Sequence, residues 1–260
     1  MRPSEVPAFE VSFWRGAVQP YCVVIPVINE GARLHRLLDR MVAANTAGCA
    51  DVLIVDGGST DGSVAREALE RRNVCGLLIK TGPGRLSAQL RCAYSFALEH
   101  GYRGVITIDG NDKDDPEAIP RFVATLEQGL DFVQASRYAA GGTAQNTPWI
   151  RDLAVRWVHA PILSLASGFH WSDTTQGFRG YSRRLLCDPR VAIFRNVFQN
   201  YELLAYLSYR APRLEYRCIE LPTARRYPST GPTPTTIRGI GGQLALLGTL
   251  LRACLGRFNP

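Results

Sequence analysis

From residue 21 to residue 136 the chain alternates short unbroken apolar runs with longer stretches in which apolar residues recur every three or four positions. Unbroken runs of this length read as strands covered on both faces, and the three-to-four spacing reads as helices with one face on a core. The pattern predicts strands over 21–28, 51–56, 75–80, 104–109 and 131–136. Between them it predicts a helix with Leu34, Leu37, Leu38 and Met41 on one face, then helices over 65–72, 88–100 and 117–129. Strands and helices alternating over short loops predict an α/β fold, a Rossmann-like, mostly parallel sheet flanked by helices. Ligands of such sheets bind beyond the carboxyl ends of the strands. Those ends carry Asn29 and Glu30, Asp56, the turn from Gly82 to Gly84, and Asp109, so four polar or glycine-rich loops meet on one edge.

Past Thr143 the pattern changes. An apolar helix over 150–168, interrupted at Pro161, leads to a polar loop that enters a strand near Tyr181. A helix carrying Tyr201, Leu203, Leu204 and Leu207 follows, then a strand over 214–221 and a loop over 222–236 rich in proline and threonine. In the last segment, 240–255, Gln243 and Arg252 oppose Leu244, Leu247 and Leu251. That apolar face fits either a protein core or a membrane interface. No repeat or linker divides the 260 residues, so one domain is expected.

With 46% hydrophobic and 20% charged residues, disorder, collagen and coiled coil are excluded. The net charge of +7 is uneven: from Arg179 onward 13 basic and 4 acidic residues give +9, and the preceding residues give −2. The basic third therefore points to an anionic partner. Nucleic acid is not expected, because the arginines are not interleaved with aromatics in a compact motif. Only two of the 30 basic residues are lysines, Lys80 and Lys113. Seven cysteines without metal-type spacing read as reduced thiols of a cytoplasmic protein. The N-terminal residues lack a signal-peptide-like apolar run, and nothing reaches the ~18 apolar residues of a membrane span. Membrane attachment would then be peripheral, at the inner face.

Three clusters carry candidate chemistry. In the run from Asp56 to Gly62, a strand-end carboxylate can accept hydrogen bonds from a base or ribose, and glycines let a ligand approach the backbone. Ser59 and Asp61 could equally cap the next helix. After the strand at 104–109, Asp109 and Asn111 could hold a divalent cation bridging a diphosphate. Asp114, Asp115 and Glu117, beside Pro116, fit the positive end of a helix. Among the basic residues, Lys80 and Arg85 bracket a glycine-rich turn, Arg137 closes a strand, and Arg225 and Arg226 precede the proline-rich loop. Arginine forks suit phosphate oxygens.

Taken in order, Val24-Ile25-Pro26 with Asn29-Glu30, Val55-Asp56-Gly57-Gly58-Ser59-Thr60-Asp61-Gly62-Ser63, Ile108-Asp109-Gly110-Asn111, Ser136-Arg137-Tyr138 and Asp173-Thr174-Thr175-Gln176-Gly177-Phe178-Arg179 resemble the family 2 glycosyltransferases. The likeness is strongest to dolichol-phosphate mannose synthases and bacterial polyprenyl-phosphate glycosyltransferases, and it runs from about 21 to 240. It implies a GT-A fold, with a nucleotide-sugar-binding half over about 21–140, an acceptor half over about 141–240 and a tail over 240–260. It further implies a nucleoside-diphosphate sugar donor, UDP- or GDP-linked, and transfer with inversion. Pro26, Asn29, Glu30, Asp56, Gly58, Ser59, Lys80, Gly84, Gly110, Asn111 and Arg137 would then line the donor. Asp109 would open the family's DxD motif and, with Asn111, hold magnesium or manganese. Asp173 would lie where donor and acceptor meet, with Arg179, Arg225 and Arg226 on acceptor phosphate.

Two departures shape the expected chemistry. Asn111 replaces the second carboxylate of DxD, and Lys113 stands where this branch often has a metal-binding glutamine. An amide is the weaker ligand and an ammonium is none, so Lys113 is expected to share the neutralisation of the leaving diphosphate. Threonines replace the usual Ser-Lys of the acceptor loop, with Arg238 nearby. The acceptor is expected to be a polyprenyl phosphate or another lipid- or glycan-linked group. A phosphate acceptor needs no base, whereas a hydroxyl would need Asp173 as one. A nucleotidyltransferase, a non-catalytic nucleotide-sugar sensor and a homo-oligomer remain open at this stage.

Overall fold

The computed structural model describes residues 5–229 and 239–260. The later part of the proline-rich loop and Arg238 lie outside the described residues. The expected runs form strands β2 (Tyr21–Val27), β3 (Asp51–Asp56), β4 (Val74–Lys80), β5 (Gly104–Thr107) and β6 (Phe132–Ser136). Every residue of β2, β3, β5 and β6 is buried, as a sheet covered on both faces requires. Along β2 the side chains alternate between two cores, Cys22 and Val24 entering one and Val23, Ile25 and Val27 the other.

Helices α1 (Ala32–Ala43), α2 (Arg66–Glu70) and α4 (Ile119–Glu127) supply one of these cores. The other is built by α3 (Leu86–Glu99), α6 (Ala160–Ser167), α8 (Glu202–Arg213) and α9 (Gly239–Cys254). The eight-stranded sheet has the order β1-β4-β3-β2-β5-β8-β6-β9, in which β2, β3, β4 and β5 are mutually parallel. Strand β8 (Arg179–Ser182) runs antiparallel between β5 and β6, and β9 (Cys218–Pro222) runs parallel to β6. The sheet is therefore mixed, a mostly parallel α/β core with antiparallel insertions.

Several boundaries differ from the sequence reading, for identifiable reasons. An unforeseen edge strand, β1 (Phe9–Trp14), pairs antiparallel with β4. Phe9 and Phe13 are its buried contacts, and a register shift between Val11 and Phe13 leaves Val11 outside. The helix expected over 150–168 is not interrupted at Pro161. It runs as α5 (Trp149–Ala154), a π-helical turn over Val155–His159, then α6 with the proline in its first turn. Widening the coil just before the proline accommodates the ring and the missing N–H. The strand expected to reach 109 ends at Thr107, where its pairing with β8 stops.

The acidic string does stand at a helix start, with Asp115 at the N-cap position and Glu117 in the first turn, but Asp115 makes no side-chain cap and the other carboxylates are spent elsewhere. Asp112 and Glu117 grip Arg40 of α1 at 3.0 and 2.6 Å, and Asp114 is buried against Arg225. In the tail, Leu250 and Ala253 face the core and Leu247 packs partly against it while Leu244 and Leu251 are exposed, so the buried face of α9 is only in part the leucine face read from the sequence.

Phe122 of α4 stacks on Phe178 at 4.2 Å between centroids, both fully buried directly behind the loop that enters β8. Truncating Phe122 to alanine is expected to cost about 3–5 kcal/mol of stability in urea unfolding.

Candidate active site

Two loops at the strand ends are stitched together by side chains. Asn29, in the left-handed region at φ +52°, accepts from the backbone of Thr60 at 2.8 Å, and its own N–H donates to Ser59 Oγ at 2.9 Å. Asp61 accepts from the backbone of Gly31 at 2.8 Å and of Ser63 at 3.0 Å, so neither it nor Ser59 caps the next helix, which starts after Ala65 with no side-chain cap. Asp56 is buried and accepts from the N–H groups of Gly58 (3.0 Å) and Ser59 (2.9 Å) and from Ser59 Oγ (2.5 Å). Its carboxylate shapes the loop from Gly58 to Ser59, which limits the lone pairs left for a ribose.

A residue the sequence reading missed holds this edge from beneath. Gln89 of α3 donates to the carbonyls of Val27 and Val55 at 2.9 and 3.0 Å. A side chain at Gly57 would come within 3.0 Å of it. Pro26 closes the same strand. Gly110 sits against it, where an added Cβ would lie 3.4 Å from both the Pro26 carbonyl and Glu30. Burial raises the Glu30 carboxyl above its usual range, against the opposing pull of Arg33 at 2.9 Å.

The two lysines do not come together. Lys80 donates to the carbonyl of Gly82 at 2.7 Å, across the turn in which Gly84 adopts φ +97°. Three strand spacings, roughly 14 Å, separate β4 from β5, the strand that leads to Asp109 and Lys113.

Lys113 instead joins a cluster at the end of β5. A two-stranded parallel ribbon, β7 (Thr143–Gln145) with β10 (Ala224–Arg226), carries Arg225 to this point. Arg225 is buried, paired with the buried Asp114 and 3.5 Å from Asp109 Oδ2. The backbone N–H of Arg226 donates to the Lys113 carbonyl at 2.8 Å, while the Arg226 side chain is exposed. Lys113 is 5% exposed with its ammonium 5.2 Å from the Tyr227 ring centroid, and burial followed by the nearby Arg225 lowers it to about 8. Arg225, expected on acceptor phosphate, thus stands beside the DxD position, and Arg226 does not accompany it.

Asp173 does not stand open as a base. Its carboxylate receives Arg137 Nε at 2.7 Å and Nη2 at 3.1 Å, with Gln176 Nε2 at 3.0 Å, and both charged side chains are fully buried. Burial would raise this carboxyl, but Arg137 outweighs it and holds it below the usual range. Arg179 likewise differs from its expected role on phosphate. It is buried and spends its donors on the carbonyls of Gln176, Leu204 and Thr174 and on Ser208 Oγ, at 2.6 to 3.1 Å.

Tyr227 and Arg151 were not singled out from sequence. Arg151 of α5 donates to the Tyr227 hydroxyl at 3.1 Å, and the guanidinium of Arg225 lies 5.8 Å from its ring centroid. Burial raises this phenol, but Arg225, Arg137, Arg151 and Lys113 overcome it and bring it down to about 7. The cationic neighbourhood is unfilled in one respect: Arg137 Nη1 and Arg225 Nε are buried without a hydrogen-bond partner. Only the three-dimensional convergence reveals the cluster, since no spacing links 113, 137, 151, 225 and 227.

The cation expected at Asp109 and Asn111 meets a poor ligand set. Asp109 is one carboxylate, 24% exposed, with Arg225 beside it. Asn111 is an amide whose Oδ1 faces the Lys113 N–H at 3.3 Å. No group of three histidine, cysteine or acidic residues suited to a metal occurs among the described residues. These residues do not fit a resident divalent cation.

Replacing Asp173 by asparagine is expected to lower stability by about 3–5 kcal/mol, because it strands a buried guanidinium; denaturant unfolding checks this. A pH titration followed by phenolate absorbance should show one tyrosine ionising near 7 that is absent from Tyr227→Phe. Since this phenol ionises near 10 when unfolded, its contribution to stability is full above about 10 and lost as pH falls through about 7.

A family profile described as Glycosyl transferase family 2 matches residues 22–188. A polyprenol monophosphomannose synthase of Mycolicibacterium smegmatis is 28% identical over 206 residues, covering 77% of this chain and 75% of that protein. An undecaprenyl-phosphate 4-deoxy-4-formamido-L-arabinose transferase of Aeromonas hydrophila is 32% identical over 170 residues, 63% of this chain, and the match spans about half (49%) of that protein. Glucosyl-3-phosphoglycerate synthase from Mycobacterium tuberculosis, solved with Mn2+, UDP-glucose and phosphoglyceric acid, superimposes with a TM-score of 0.62 at 17% identity, covering 91% of this chain and 79% of that one. The fold is GT-A, and the chain belongs to glycosyl transferase family 2.

Proposed function

We propose that this glycosyltransferase moves a sugar, with inversion, from a nucleoside-diphosphate sugar to the phosphate of a polyprenyl phosphate. The observation that carries the reading is the convergence of Lys113, Arg137, Arg151 and Arg225 around Tyr227, with Asp173 consumed by Arg137. Cations without an open base at the expected position suit an acceptor that is already ionised. A phosphate oxygen attacks the anomeric carbon, the bond to the diphosphate oxygen breaks, and no proton has to be removed. A hydroxyl acceptor would need a base, and Asp173 is closed to that role. The names of the two relatives, a polyprenol monophosphomannose synthase and an undecaprenyl-phosphate sugar transferase, agree with this acceptor class.

In this reading the donor lies over the half from 21 to 140. Asn29, Glu30, Asp56, Gly58, Ser59 and Gly110 surround the nucleoside and ribose, and Asp109 lies at the diphosphate. The acceptor half from 141 to 240 contributes Arg151, with Arg137 facing both substrates. Helix α5 and the π-helical turn expose Trp149 (71%), Ile150 (60%), Leu153 (46%) and Trp157 (72%) alongside Arg151 and Arg156. Aromatic and aliphatic side chains mixed with arginine suit the boundary of an anionic membrane, where a polyprenyl chain resides. No helix among the described residues is long and apolar enough to cross a membrane.

The test offers UDP- and GDP-linked hexoses with undecaprenyl phosphate in detergent micelles and follows sugar in the organic phase. Transfer from one donor is expected, and Arg151→Ala should slow it about 10- to 100-fold, the cost of one charged hydrogen bond. Glycosylation of a soluble hydroxyl acceptor with no lipid product would overturn the acceptor assignment.

A further inference from the structure

We propose that Lys113 and Arg225 replace a divalent cation at the donor's diphosphate, so that this chain binds its nucleoside diphosphate with no metal ion; the inference rests on the nucleotide-sugar reading above. The argument is one of charge and of construction.

The charge balance comes first. Around the end of β5, the carboxylates of Asp109 and Asp114 face the cations of Lys113 and Arg225, leaving no net formal charge. Two carboxylates holding a divalent ion reach the same balance. Relative to a DxD motif followed by glutamine, Asn111 removes one negative charge and Lys113 adds one positive charge. Together they supply the two units a divalent ion would bring. A metal ion entering now would find the carboxylates already balanced by Lys113 and Arg225, so its two charges would go uncompensated in a partly dry site.

The cations are also built in. Asp114, fully buried, fixes Arg225 from below. The Arg225 Nη2 atom lies 3.5 Å from Asp109 Oδ2, against the carboxylate a metal would need. Pairing of β10 with β7 sets the backbone of Arg225, and the bond from the Arg226 N–H to the Lys113 carbonyl ties both cation-bearing segments together. Arg225 Nε remains a buried donor without a partner, as an anion-binding group should before its anion arrives. Gly177 closes the other side of Asp109, where an added Cβ would fall 2.2 Å from Oδ1 and displace the carboxylate. A positive charge held in place by packing stabilises a leaving diphosphate without reorganising when the bond breaks.

Calorimetric titration of the full chain with UDP and with GDP, in excess EDTA and again with manganese, tests this. The nucleotide that binds is expected to show dissociation constants within about threefold of each other in the two conditions. Lys113→Gln should weaken binding in EDTA at least tenfold, with its melting temperature as the control for folding. Asn111→Asp combined with Lys113→Gln should bind well only with manganese. Should Lys113→Gln fold poorly, the single change Asn111→Asp serves in its place and is expected to make binding sensitive to manganese. Wild-type binding that weakens more than tenfold in EDTA and returns with manganese would overturn the inference while leaving the nucleotide reading intact. Equal binding in EDTA by wild type and a folded Lys113→Gln would overturn it too. If neither nucleotide binds in either condition, this inference and the nucleotide reading fall together.

Discussion

The ion pair between Arg137 and Asp173 is the interaction on which the rest of the site depends. Both side chains are shut away from water, so each would be costly alone, and their two-pronged contact is what makes the burial tolerable. The pair locks the end of β6 to the loop that enters β8. That loop is held in turn by Glu220 of β9, which accepts from the N–H groups of Ser172 and Asp173 at 2.9 Å. One charge pair thus sets the spacing of three neighbouring strands. It also fixes Arg137, whose Nη1 is buried without a hydrogen-bond partner.

Around this anchor the electrostatics run in an unusual direction. Buried phenols and ammonium groups normally resist ionisation only because water is missing. Here burial and then Arg225 lower the Lys113 ammonium, while several cations, Arg225 first, bring the Tyr227 phenol down against the effect of burial. Arg225 is the neighbour common to both shifts, acting in the same direction on each.

Much of this architecture can be read along the chain, and the exceptions have physical causes. Strands β2 to β6 were legible because burial on both faces forces continuous apolar runs. Strand β1 was not, since an edge strand needs only Phe9 and Phe13 inside and looks like ordinary chain. The glycine and carboxylate loops at strand ends were legible because short loops after parallel strands permit few solutions. Their side-chain roles were less so: Asp61, open to capping the next helix, instead accepts from Gly31 and Ser63, Asp56 turns its carboxylate onto its own loop, and Asp114, expected at a helix start, became the counter-ion of Arg225. Asp173 and Arg179 were expected at the acceptor and are instead buried in contacts with the protein's own groups, because a sequence motif does not show which partners a side chain meets once the chain is folded. Arg151, Tyr227 and Gln89 carried no periodic signal, because their neighbours come from other elements.

The ribbon of β7 and β10 has a consequence for the order in which the protein comes into being. Asp114 and Arg225 are separated by 111 positions in sequence. During synthesis, the first four parallel strands and their helices can fold while Arg225 is still unmade. A nascent chain at that stage holds Asp109 and Asp114 without Arg225, the guanidinium that pairs with them in the finished fold. The balance of charge at the end of β5 is therefore completed only as the last third of the polypeptide docks, which makes it a property of the finished molecule and not of its first parallel strands.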